Sequence, residues 1–481
     1  MKLQKTMWVA TSAAVFSLLF AATACKKPTE PASNAASQTS PAFSPEELKQ
    51  QRLAWNLKTL VGSYEHAGFA NTQWDASAKL ALTEFARTRA NVLETNEPWA
   101  LIVGTNAAAA VQAGCKDPMV TYLYIRFAMD QTNSKEAFAE AFIAVAKEMQ
   151  KSSYPDVRKF YAALRAVEQF TLANNYPTNW PSEIKQLYDQ AKASLKTVLE
   201  DKTTPSDEAY DASSQFLEPE QWDKTTYADL YNNYVAPPLF KNWPNASTSW
   251  LLKGQIYLQM AWLARGGGYA NNVKAEGWKL FAEHLATAET SLKKAWQINS
   301  NDKRIPTIMI RVDEGQQKDQ DDMELWFDRA MALDLNNYEA CKNKLHYLYP
   351  QWYGSREEMI AFGKQCVAAT NWGGFVPLIL IDAYTDFNTY SQDSDEVKQA
   401  YWKQPGVWPD IKAAYDRFFE LNPNATDIYK NYAWYAYHAE QWNAFNELVP
   451  KVRPADYNFF GGTDEFNKMV QLAKEHAGKP K

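Results

Sequence analysis

Residues 328–366, DRAMALDLNNYEACKNKLHYLYPQWYGSREEMIAFGKQC, decide how this chain is built. The stretch reads as a helix end, an Asn-rich joint, a helix from about Tyr338 to Tyr347, a turn at Tyr349–Ser355 and a second helix from about Arg356 to Ala368. Apolar residues recur at helical spacing on both arms, and the period-two alternation of strands is missing. Two short helices joined by a tight turn form an antiparallel hairpin. Cys341 and Cys366 lie at comparable distances on either side of that turn, so the hairpin brings them face to face. That placement predicts a disulfide closing a loop of about 25 residues. The other reading of the pair is two buried reduced thiols acting as small hydrophobes.

The same joint recurs. Ala295-Trp-Gln-Ile-Asn-Ser and Ala332-Leu-Asp-Leu-Asn-Asn stand 37 residues apart, and Phe418-Phe-Glu-Leu-Asn-Pro repeats the pattern with a proline. In each an apolar helix ends on Ile or Leu, followed by Asn, which tolerates left-handed backbone and can cap the next helix. The first half carries a fainter echo. Asp117-Pro-Met-Val-Thr-Tyr-Leu-Tyr and Tyr154-Pro-Asp-Val-Arg-Lys-Phe-Tyr also align 37 residues apart, with proline where a helix start accepts it. Self-similarity at this period marks stacked helix pairs, here roughly five to seven units over residues 95–450. The expected fold is therefore all-α, an α-solenoid of degenerate helix hairpins. It divides into an N-terminal helical region, residues 46–240, and a C-terminal repeat region, residues 241–481.

The repeat unit resembles the tetratricopeptide repeat, with small residues packing against large ones across antiparallel helices, as in Tyr429-Lys-Asn-Tyr-Ala-Trp-Tyr-Ala. Over roughly residues 245–375, Ser249-Trp-Leu-Leu-Lys-Gly, Ala261-Trp-Leu-Ala-Arg-Gly-Gly-Gly-Tyr-Ala and Glu324-Leu-Trp-Phe-Asp-Arg-Ala look like a secreted bacterial helical-repeat family of unknown function. That resemblance implies fold and secretion and carries no activity.

The N-terminus speaks to location. Lys2 and Lys5 precede an apolar run from Met7 to Phe20, too short to span a bilayer comfortably, and Ala22-Thr-Ala-Cys25 follows. This resembles the lipobox of bacterial lipoproteins, with Ala22 where Leu is usual. The resemblance implies a signal peptide over residues 1–24 and a lipid on Cys25. Residues 25–45 are rich in Pro, Ser, Ala and Thr and poor in large apolar side chains, the composition of a disordered tether. Lys26, in place of Asp, resembles an outer-membrane sorting signal. A lipoprotein held at the outer membrane and facing the periplasm is the expected location, with the membrane reached through lipid alone.

The formal net charge of −6 becomes more negative once Lys2 and Lys5 are removed, and a mildly acidic chain repels phosphate backbones. Nucleic acid is excluded as a natural partner. The 5 histidines form no paired metal motif, and the cysteines show no CxxC spacing, so no metal and no cofactor are expected. No nucleophile elbow, phosphate loop or dinucleotide fingerprint is present, and the expectation is a non-enzyme. Asp319-Gln-Asp-Asp-Met-Glu has a calcium-loop flavour, but acids in the first turn of a helix account for it. The densest glycine run, Gly266-Gly-Gly, lies beside aromatic residues and an arginine. Trp262, Arg265, Gly267, Tyr269 and Trp278 are therefore the candidate binding residues, and a glycine break between two long helices is the structural alternative.

These features lead to a lipid-anchored periplasmic scaffold that binds an envelope protein or peptide. The alternative is a surface lipoprotein that binds glycans or a small ligand. The 18 Trp and 26 Tyr, and loops such as Phe240–Pro244 and Asn371–Phe375, suit sugar stacking if they are exposed and helix packing if they are not.

Overall fold

The computed structural model describes residues 44–92, 98–129, 134–177, 179–218, 227–267, 270–391 and 393–477. The expected signal peptide, Cys25 and nearly all of the tether lie outside the described residues. Among those described there is no strand. The chain is all-α, a solenoid-like series of helices that pack on their neighbours in sequence. It forms two compact units, one containing the described residues up to 256 together with 290–300, the other 257–289 together with 301 onward.

In the N-terminal unit the helix Lys135–Lys151 packs along Asp156–Ala173, and that helix packs along Ser182–Glu200. Likewise Asp75–Arg89 packs along Trp99–Gln112, which packs along Pro118–Phe127. Gly104 makes the last approach possible, since a Cβ there would sit 2.5 Å from the Phe127 carbonyl oxygen. Helix starts follow the sequence signals. Ser44 forms a full capping box with Glu47 at the start of Pro45–Leu57. Asp117 caps Pro118–Phe127, its Oδ1 accepting from the Met119 and Val120 amides at 2.9 and 3.0 Å.

The repeat reappears as physical contact. The Tyr154 hydroxyl donates to both carboxylate oxygens of Asp117 at 3.1 Å, so the two aligned joints are bonded to one another. Equivalent latches run through both units. Tyr64 donates to Asp75 at 2.6 Å and Tyr384 to Asp410 at 2.5 Å, while Tyr338 and Tyr349 donate to Asp382 and Asp386.

In the C-terminal unit the opening hairpin has the expected bounds, helices Tyr338–Tyr347 and Arg356–Ala368. Its joint Asn337 is a cap, accepting from the Ala340 amide at 3.0 Å with φ at −73°. Of the two roles Asn could play here, the chain uses capping and not the left-handed backbone. Arg356–Ala368 lies close on Ile379–Tyr390, where a Cβ at Gly363 would meet the Leu380 Cα at 2.7 Å. Tyrosine, tryptophan and phenylalanine side chains such as Tyr415, Trp402 and Phe445 fill the core.

The expected disulfide is not formed. Cys341 and Cys366 are buried free thiols, as is Cys115. The hairpin does bring the pair together, and Cys366 hydrogen-bonds Cys341, with burial and that neighbour pushing its pKa far up. Cys341 also lies 3.7 Å from the Met331 sulfur, so both thiols behave as core atoms.

Two outcomes are expected. Asp117→Ala removes a helix cap and strands the buried Tyr154 hydroxyl, lowering stability by about 2–3 kcal/mol in urea unfolding followed by far-UV dichroism. In the chain carrying Cys115, Cys341 and Cys366, a thiol reagent titrates none of the three in buffer and all three in denaturant. A single reactive thiol in denaturant would instead show a bonded pair.

Candidate functional site

The residues singled out in the sequence do converge, in part. Arg265, at the end of the helix Ser247–Arg265, has its guanidinium 5.8 Å from the ring centre of Trp262 and 5.4 Å from that of Trp278. A third indole was missed. Trp352, from the turn of the opening hairpin, lies 5.6 Å from the same guanidinium. Gly266 ends the helix with φ at +74°, as a glycine break requires, and Gly267 is exposed. Tyr269 lies outside the described residues.

This cluster is a cation–π nest already filled by the protein's own arginine. Beneath it Glu314 is fully buried, 2.5 Å from Arg311 and 2.9 Å from His346 Nδ1. Burial alone would raise the Glu314 pKa, but Arg311, His346 and Arg265 together outweigh it and hold the carboxyl below its ordinary value. Arg311 also stacks on Trp262 at 5.2 Å. The arrangement locks this corner of the C-terminal unit and presents an occupied cage.

In the loops offered for sugar stacking, rings pack on their own neighbours, with Phe375 keeping an exposed face. Phe240 packs edge-on to Trp250, Trp372 to Phe327, and Phe375 against Phe418. Exposed aromatics among the described residues are separated along the chain: Tyr176, Tyr353, Phe375, Tyr390 and Phe459.

A different site stands in the N-terminal unit. It is a cavity of about 290 Å³ bounded by the helices Asp75–Arg89, Pro118–Phe127 and Asp156–Ala173 and by the end of Ser206–Phe216. Four arginines line it, Arg89, Arg126, Arg158 and Arg165, together with Glu168 and Glu218. Behind the wall lies a buried charge network. Glu208, wholly buried, accepts from Arg52 at 2.8 Å, Arg89 at 2.8 Å and the Tyr161 hydroxyl at 2.7 Å. Asp211 accepts from Arg52 and, at 3.4 Å, from Arg89. Burial disfavours the Glu208 carboxylate, yet the surrounding arginines and Tyr161 hold its pKa far below the ordinary value.

Arg158 is the exception in this network. It is 2% exposed, and its Nη2 donates only to neutral groups, Asn56 Oδ1 and Thr59 Oγ1, each at 2.6 Å. Its Nε and Nη1, and the Nε of Arg89, find no partner among the described residues. Burial pulls the Arg158 pKa down to about 10, which still leaves it charged at neutral pH. Three guanidinium groups, the buried Arg52 and Arg158 and the partly buried Arg89, thus face two carboxylates, Glu208 and Asp211. Thr59 sits in the π-turn Lys58–Gly62, which carries its hydroxyl to Arg158.

Sequence spacing could not assemble this site, because Arg52 and Glu208 are 156 positions apart. One signal was available. Arg158 and Tyr161 fall on a helix whose other faces read Val157, Phe160, Ala163, Leu164 and Val167, so a charge there is buried rather than solvated.

No protein-family model matches the chain, and no curated protein matches it.

Asp382, the acid of one C-terminal latch, gives a pH signature. Burial raises the Asp382 pKa to about 6, against the opposing pull of Lys342 and Tyr338. Between roughly pH 4 and 6 the folded chain then holds a proton that the unfolded chain has lost, so stability falls as pH rises through that window. Urea midpoints measured at pH 4.5 and 7 should show this slope reduced in Asp382→Asn, by on the order of 2 kcal/mol. An unchanged slope means Asp382 titrates normally.

Proposed function

We propose that this chain is a lipid-anchored helical-repeat binding protein of a bacterial envelope, and that its recognition site is the arginine-lined cavity of the N-terminal unit. One observation carries the reading. Arg158 is a buried cation hydrogen-bonded only to neutral groups among the described residues, in a network with one more guanidinium than carboxylate, and such a surplus charge is costly unless an anion comes to it. The expected peptide or protein partner and the alternative small ligand meet at this point, since either can enter through an anionic group.

The location rests on the leader, on Cys25 and on the Lys26 that follows it. Among the described residues no helix is long and apolar enough to cross a membrane. The periplasm-facing outer membrane is the proposed site of residence. The Trp262, Arg265 and Trp278 cluster is given a structural role, because its indoles already hold a guanidinium. Glycan capture through exposed aromatic loops draws no support from side chains engaged with their own neighbours.

The test is retention and capture in the native envelope. Wild-type chain should fractionate with membranes, and Cys25→Ala should not. Wild-type bait should enrich a defined protein or extractable small molecule that Arg158→Met bait fails to enrich. Equal enrichment by both baits, or none by either, removes the cavity from the function.

A further inference from the structure

The ligand's chemistry can be narrowed further, on the premise that the cavity is the recognition site. We infer that the cavity takes a monocarboxylate attached to an apolar group, with the carboxylate at the Arg158 end and the apolar body along Phe85, Met119 and Leu164. Charge comes first. The buried network holds one more guanidinium than carboxylate, so a single negative charge balances it. A dianion overshoots, and it also meets Glu168 and Glu218 on the same wall. Glu168 is paired with Arg165 at 2.5 Å and Arg89 with Glu208 at 2.8 Å, which leaves Arg126 and Arg158 as the cationic face.

Hydrogen-bonding need comes second. The Nε and Nη1 of Arg158 and the Nε of Arg89 are buried donors without acceptors among the described residues, in a protein interior where such donors are normally satisfied. A carboxylate supplies several lone pairs in one planar group, and guanidinium–carboxylate bonds are among the stronger hydrogen bonds in proteins. Arg126 stacks on Phe85 at 5.9 Å and Phe127 at 5.1 Å, with its Nη1 3.2 Å from the Tyr122 hydroxyl, so this cation is already oriented by rings and a hydroxyl.

Shape comes third. Arg158 and Glu168 are ten positions apart on one helix, about 15 Å along its axis, so the lining runs from a buried cation outward to carboxylates. The volume of about 290 Å³ is roughly that of ten waters in the liquid, enough for a ring or short alkyl chain with its acid group. Phe85, Met119, Ala162 and Leu164 give that body an apolar wall. Free organic acids and the C-terminal residue of a peptide share this chemistry.

The experiment is calorimetric titration of the full-length chain in mild detergent. The probes are 3-phenylpropionate, its neutral amide, inorganic phosphate, and a tripeptide ending in Phe as free acid and as amide. Binding of 3-phenylpropionate at least tenfold tighter than its amide, lost in Arg158→Met, is the expected result. The apolar replacement should keep the fold, because it removes an unbalanced buried charge, and a thermal melt checks this. Should that variant unfold, Arg126→Gln at the same wall should still weaken the acid several-fold. A stronger response to the tripeptide acid than to 3-phenylpropionate assigns the carboxylate to a peptide end, and the reverse assigns it to a free acid. Equal binding of acid and amide, tighter binding of phosphate, or binding of no probe overturns the inference. Failure here alongside Arg158-dependent capture from the envelope rejects the ligand class and leaves the cavity as the site.

Discussion

Glu208 binds the N-terminal unit together. Its carboxylate is wholly buried and lies among Arg52 from the first helix, Arg89 from the end of another, and Tyr161 from a third. A buried carboxylate without partners would cost several kcal/mol, so each of these helices is constrained to bring its donor to the same point. Arg52 and Arg89 then have to be where they are, and Asp211 one turn on joins them. What remains is Arg158, drawn to the same region yet satisfied only by an amide and a hydroxyl. The cavity beside it follows from this packing. Side chains kept apart by charge and by hydrogen-bond geometry do not close up as leucines would.

The two units solve the same architectural problem with different materials. In the C-terminal unit stacked and edge-on rings fill the space between helices, as where Tyr415 lies on Tyr432 at 4.5 Å and Phe419 on Tyr429 at 4.0 Å. The abundance of aromatic residues is thereby explained mainly as core. Rings are also what confine Arg265, so an arrangement that on paper resembles a binding cage is already occupied by the protein itself.

The hairpin at residues 328–366 was legible because local rules govern it. Helical spacing, an Asn cap and a turn sequence all act within a few residues, and its helix bounds came out as read. The contact between Cys341 and Cys366 was legible for the same reason, although proximity in a hairpin does not fix whether two sulfurs bond. Trp352 was not, because its meeting with Arg265 depends on how separate hairpins stack. The arginine cavity was least legible of all. The charged groups of the cavity and of the network behind it come from helices spread across more than 150 positions, and each one alone reads as an ordinary surface charge. Only Arg158 and Tyr161, set beside Val157, Phe160, Ala163 and Leu164 on their helix, carried a mark of burial.

The tyrosine–aspartate latches bear on how such a chain can drift. Removing one partner strands a buried hydroxyl or carboxylate, whereas replacing both by apolar groups of matching shape can be nearly neutral. Tyr154 and Asp117, or Tyr384 and Asp410, are thus free to change only in concert. Core leucines and valines between them can interchange one at a time. Over long divergence, the memory of the repeat would persist as covarying pairs rather than as fixed letters.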